Sequence, residues 1–151
     1  MKSVAKPIAF LVIFGILVGV AWAQFAKPQD AIKYRQSVML VMAHHFGRLG
    51  AMVKGKQPYD QKVFADNTAV IELMSKLPWE AFLFPGGDTG ETTMKSSVLE
   101  DPDGFKSLYR HFESEVDKLS AAVKGNNFDE IKSRFGAVAQ SCKDCHSKNK
   151  K

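Results

Sequence analysis

At 151 residues and 16.7 kDa the chain has room for one domain and no more. Apolar residues make up 45% and charged residues 25%, which excludes a disordered or collagen-like polymer. The formal charge of +5 is mild and spread along the chain, so it gives no argument for a nucleic-acid partner.

The first element is a leader. Lys2 and Lys6 precede an apolar run from Ile8 to Val20, and Ala21-Trp22-Ala23 places small residues where a signal peptidase reads. This is the layout of a secretory signal peptide. The competing reading is an uncleaved membrane anchor, but the run is short of the ~20 residues that cross a bilayer comfortably. Cleavage after Ala23 would leave a mature domain of residues 24–151 with nineteen basic and sixteen acidic side chains, net +3. Export suggests the periplasm, with no membrane contact after cleavage.

Four stretches of the mature chain carry apolar residues at steps of three and four, the helix signal. The first, about 28–54, has the stripe Ala31, Tyr34, Val38, Met42, His45/Phe46, Leu49 and Met52, with Pro28 in its first turn and Gly55 past its end. The second, about 60–77, turns Val63, Phe64, Val70, Ile71, Met74 and Leu77 inward and stops at Pro78. The third opens at Asp101-Pro102 and runs through Phe105, Leu108, Tyr109, Phe112, Val116 and Leu119 to Gly125. The fourth opens at Asn127 with Glu130 three residues on, a capping-box spacing, and its stripe is Phe128, Ile131, Phe135, Val138, Cys142 and Cys145. No segment alternates with period two. Short connections within each pair favour antiparallel neighbours, so the expected fold is all-α, an up-down-up-down four-helix bundle. The stretch 78–100 reads as a long loop, a length that usually carries function or packs on something.

The two cysteines of the chain fall within Cys142-Lys143-Asp144-Cys145-His146. C-x-x-C-H is the attachment sequence of a c-type haem. Residues three apart share a helix face, so both sulfurs can form thioethers along one edge of a single haem. His146 can then place a ring nitrogen on the iron from the proximal side. A redox dithiol would sit at a helix start after a strand, a structural zinc site would need further ligands at metal spacing, and a plain disulfide would leave His146 without a purpose. Only five residues follow His146, so a distal ligand must come from the first three helices. Candidates are Met39, Met42, Met52, Met74, His44, His45 and His111, although a methionine on an apolar stripe is more often core filler.

The chain resembles the cytochrome c′ family, class II c-type cytochromes with the haem motif at the C-terminal end. The resemblance rests on Gln24–Pro28, Lys33–Ser37, His45–Arg48, Val53–Gly55, Leu77–Trp79 and Cys142–His146, and it spans the whole mature chain. The family is itself a standard example of the four-helix bundle, so that agreement is not independent of the resemblance. It implies a pentacoordinate high-spin haem with His146 proximal, binding of nitric oxide and carbon monoxide over dioxygen, and homodimers formed through the first two helices. It places Met39 on the distal face and Arg35 and Gln36 at the haem propionates and edge. Arg35 and Met39, four apart on one helix, share a face, and a guanidinium suits a carboxylate. Trp79 offers a large apolar face to the haem edge or closes the bundle's end, and Glu91 falls near a polar haem contact of the family.

Two departures stand out. Methionine at the distal position can ligate iron, which would make the protein a six-coordinate low-spin electron carrier. Relatives often follow the histidine with a tyrosine and a basic residue one turn on; here Asn149 and Lys150 stand there, and a lysine is a more hydrated substitute for an arginine that screens the proximal pocket. A redox enzyme is disfavoured because no acid–base pair or second cofactor site appears. Lys148, Lys150 and Lys151 could dock an unidentified acidic periplasmic redox partner, although such a tail is more often merely solvated.

Overall fold

The computed structural model describes residues 24–151. The expected signal peptide therefore lies outside the described residues. Six helices follow in order: α1 (Pro28–Val53), α2 (Gln61–Met74), α3 (Trp79–Phe82), α4 (Ser97–Glu100), α5 (Pro102–Gly125) and α6 (Phe128–Asn149). The four long ones form the bundle. α1 packs chiefly on α2, α2 also on α5, and α5 on α6, whereas α1 and α6 touch sparingly. Among the described residues no helix is long and apolar enough to cross a membrane.

Local signals set the helix ends. Pro28 occupies the first turn of α1, where a missing N–H costs nothing. Asp60 accepts from the Val63 amide at the start of α2, and Asp101 accepts from Gly104 N–H at the start of α5. Asn127 accepts from the Asp129 and Glu130 amides to open α6. The link from α5 to α6 is a tight turn through Asn126, whose φ of 52° is left-handed.

The main core combines Leu49, Met52, Phe64, Ile71, Val116, Leu119, Ile131, Phe135 and Val138 from all four long helices. Two expectations need correction. Val63 is 44% exposed rather than inward, because Asn67 and Thr68 take buried places on α2 and rotate its buried face. The stretch 78–100 is also not a structureless loop. It holds α3 and α4, four residues each, too short to show a helical period. It also pairs with the C-terminus in an isolated antiparallel bridge between Met94 and Lys150.

Candidate haem site

The site lies on the C-terminal half of α6, around its two cysteines. Near the end of α1, Phe46 stacks on Phe135 of α6 with ring centroids 4.3 Å apart and planes 10° from parallel. Gly50 permits this approach, since a Cβ there would stand 3.3 Å from the Phe135 ring. The helices are antiparallel, so moving two turns away from this contact on each brings Met39 level with Cys142. One further turn brings Arg35 level with His146.

On α6, Cys142 and Cys145 are free thiols, each half-buried. Cys142 packs against the main core, and Cys145 against a second cluster of Met94, Val98, Phe105 and Tyr109. Burial pushes the Cys142 thiol up to about 11 and raises Cys145 as well, so both are protonated at neutral pH. Burial, with a smaller contribution from Lys150, lowers the pKa of His146, so a neutral imidazole with a free ring nitrogen is favoured. An open hollow of about 620 Å³ runs along this face, lined by Ala139, Cys142, Lys143, His146, Ser147, Lys150 and Lys151. Among the described residues no cluster of three or more His, Cys, Asp or Glu side chains could hold a bare metal ion. Two thiols on one face, a neutral imidazole beside them and an open hollow fit a flat macrocycle fastened by its edge.

The α1 side is polar at its margin and engaged elsewhere. Arg35 is only 2% exposed. Its guanidinium donates to the Ala81 carbonyl (3.1 Å), the Gly87 carbonyl (2.5 Å) and the Thr92 hydroxyl (2.8 Å), and lies 4.9 Å from the Phe82 ring centroid. Gly87 has to be glycine, because a Cβ would come within 2.9 Å of the Arg35 guanidinium. Burial lowers the Arg35 pKa and nearby Asp88 partly restores it. Arg35 is thus not a solvated helix charge: it fastens the α3–α4 crossover to α1. Gln36 does the same nearby, donating to the Glu91 carbonyl at 2.9 Å, while the Glu91 side chain stays exposed.

Of the candidate distal ligands, Met42 and Met52 are buried in the main core and Met74 packs against it. Met39 is half-buried at the open end. His44 and His111 are exposed, and His45 is held by Asn67 of α2, with Nδ1 2.7 Å from Oδ1. Trp79 bridges the two apolar clusters. It stacks on Tyr109 (4.7 Å, 7°) and donates to the Ser75 carbonyl at 2.7 Å and the Glu113 carboxylate at 2.9 Å. It closes the cluster against which Cys145 packs. Sequence reasoning missed Met94 and Thr92. Met94 is 4% exposed in the Cys145 cluster, but a lone methionine in a loop carries no periodic signal.

The family model for cytochrome c′ matches residues 30–150. The chain belongs to the cytochrome c′ family. It is 48% identical to cytochrome c′ of Rubrivivax gelatinosus over 128 residues, covering 84% of this chain and 98% of that protein. The crystal structure of the Rubrivivax protein superposes with a TM-score of 0.81 over 85% of this chain and all of the other. Cytochrome c′ of Alcaligenes xylosoxidans is also similar, at 42% identity and TM-score 0.78, in a ferrous arginine-to-lysine variant with bound nitric oxide covering 84% of this chain and 98% of that one. A leucine-to-glycine variant of the same protein, with carbon monoxide bound, matches at the same identity and TM-score. Cytochromes c′ carry covalently attached haem c with its iron, so the cofactor expected from C-x-x-C-H is the cofactor of the family. The bundle is likewise the fold of its structural neighbours.

Proposed function

We propose that this chain is a periplasmic gas-binding cytochrome c′, with haem c held by thioethers from Cys142 and Cys145 and by His146 on iron. When bound, the haem would supply an iron able to take a diatomic ligand. Met39, level with Cys142 in register on the antiparallel helix, would be the side chain that covers the ligand's side. The observation that carries this reading is that Cys142, Cys145 and His146 share one face of α6, where Cys142 and His146 line an open hollow.

The residues then have distinct tasks. His146 is favoured as a neutral base, so its ring nitrogen is ready to coordinate. The polar side chains of this part of α1 are already engaged: Arg35 and Gln36 by the crossover, His45 by Asn67. Each is thus aimed at a protein partner rather than set aside for bound dioxygen, whose polar complex wants a donor more than nitric oxide or carbon monoxide does. Carbon monoxide and nitric oxide complexes of the Alcaligenes protein support the same ligand class. Replacing Met39 by alanine is expected to speed carbon monoxide association by stopped flow; rates equal to wild type would remove Met39 from the distal face. The alternative, a six-coordinate electron carrier, rests on the Met39 sulfur binding iron, and the same variant would then turn low-spin iron high-spin.

A second copy of the chain is the proposed partner at the outer face of α1 and α2. Leu40 and Leu73 are 72% and 63% exposed there, with Val41 next to Leu40, an apolar surface that water disfavours. Sedimentation should give a dimer for the wild type and a monomer for Leu40→Lys combined with Leu73→Lys. The lysines around the hollow, Lys143, Lys150 and Lys151, leave the haem edge open to an acidic redox partner.

A further inference from the structure

The crossover between α2 and α5 is hydrogen-bonded both to α1 and to the end of α6. From α1, the Arg35 guanidinium donates to the Thr92 hydroxyl at 2.8 Å. The same hydroxyl accepts from the Met94 amide at 3.1 Å. Just beyond, the Lys95 amide donates to the Asn149 carbonyl at 2.9 Å, and the Lys151 amide donates to the Thr93 carbonyl at 2.7 Å. The Lys95 ammonium also lies 3.4 Å and 3.2 Å from the carbonyls of Ser147 and Lys148, acceptors that the end of a helix leaves without partners. Met94, itself in the bridge with Lys150, buries its side chain against the cluster that takes Cys145. A set of hydrogen bonds along the crossover therefore runs from the turn of α1 before Met39 to the turn of α6 after His146, two helices that touch each other sparingly.

The geometry points to residues 92–95 as a tie that fixes the spacing of α1 and α6, with Thr92 and Lys95 as positioning residues for the haem. This rests on the reading that haem lies between Met39 and His146. The tie has one consequence for each face. It keeps the last turn of α6, and with it His146, from fraying as helix ends do. It also keeps Met39 at a set distance from the proximal side, so the balance between an open axial position and a methionine on iron depends on it. The tie bypasses the apolar core, so its loss need not unfold the bundle.

The test compares the wild-type holoprotein with Thr92→Val, Thr92→Ser and Lys95→Met. Lys95→Met keeps the aliphatic stem and the backbone bridge, so it guards against a misfolded Thr92→Val. Two signals are read: hydrogen exchange at the Lys95 and Lys151 amides, and the iron spin balance with the carbon monoxide association rate. Thr92→Val and Lys95→Met are each expected to speed exchange about tenfold, the loss of one or two net hydrogen bonds. Both should also move the spin balance or the association rate, and Thr92→Ser should restore both signals. Faster exchange with unchanged iron signals would reduce the tie to a stabilising contact and overturn the positioning role. Unchanged exchange would overturn the tie itself. A wild type already low-spin would defeat the open-site reading alone, because each variant is compared with whatever spin state the wild type holds.

Discussion

At the end of the bundle where α1 finishes, Phe46 lies flat on Phe135 and Tyr59 packs on Phe128 at 4.2 Å between centroids. At the end where α1 begins, the same helix buries a guanidinium instead, and α6 presents two thiols and an imidazole. Apolar rings draw two helices together until nothing fits between them, as close-packed interiors require. A buried arginine cannot do that, since its donors must find acceptors. Here they find two carbonyls and a hydroxyl of the crossover. α1 is thus fastened by hydrogen bonds at one end and by stacked rings at the other.

The comparison can be broken from either end. Phe135→Ala should cost about 3–5 kcal/mol, the usual penalty for emptying a buried phenylalanine site. Thermal unfolding should show the loss while the haem absorption of the surviving protein stays that of the wild type. Arg35→Ala should cost about 3 kcal/mol, since three acceptors lose a charged donor. Here the haem spectrum should change as well, and limited proteolysis should cut within residues 81–92. Arg35→Lys should recover little, because one ammonium cannot reproduce the planar fork. Equal spectra for Phe135→Ala and Arg35→Ala would remove the distinction between the two ends.

Smaller effects sharpen it. Trp79→Phe keeps the stack on Tyr109 but removes the donor to Ser75 and Glu113, leaving Glu113 with Arg110 at 3.0 Å. About 1–2 kcal/mol of stability should be lost in denaturant titrations. Smallest is a pH effect at Asp101. The Gly104 amide, and then Lys148, hold its carboxyl below the usual aspartate range. Its contribution is therefore present above the unfolded pKa and lost as pH falls through the lowered folded value. The melting temperature of the wild type should fall more steeply in that acid window than that of Asp101→Asn.

The bundle was legible because its signals are local. Pro28, Asp60, Asp101-Pro102 and Asn127 each mark a helix start within a few residues, and the fourth stripe leads directly into Cys142 and Cys145. The attachment motif was legible for the same reason, being five consecutive residues. Arg35 shows the limit. Its partners Ala81, Gly87 and Thr92 lie far along the chain in a segment with no period. An arginine on a helix carries no mark of the carbonyls that will surround it. Val63 failed differently: it fits an apolar stripe, but Asn67 and Thr68 found partners in His45 and the Phe64 carbonyl and took the buried side.

The central claim is an iron open on the Met39 side. The absorption spectrum of the purified ferrous protein, before and after carbon monoxide, tests it most directly. A high-spin spectrum that converts promptly with carbon monoxide is the predicted result. A sharp low-spin spectrum that resists carbon monoxide would contradict it, placing Met39 or a histidine on the iron and making the protein an electron carrier.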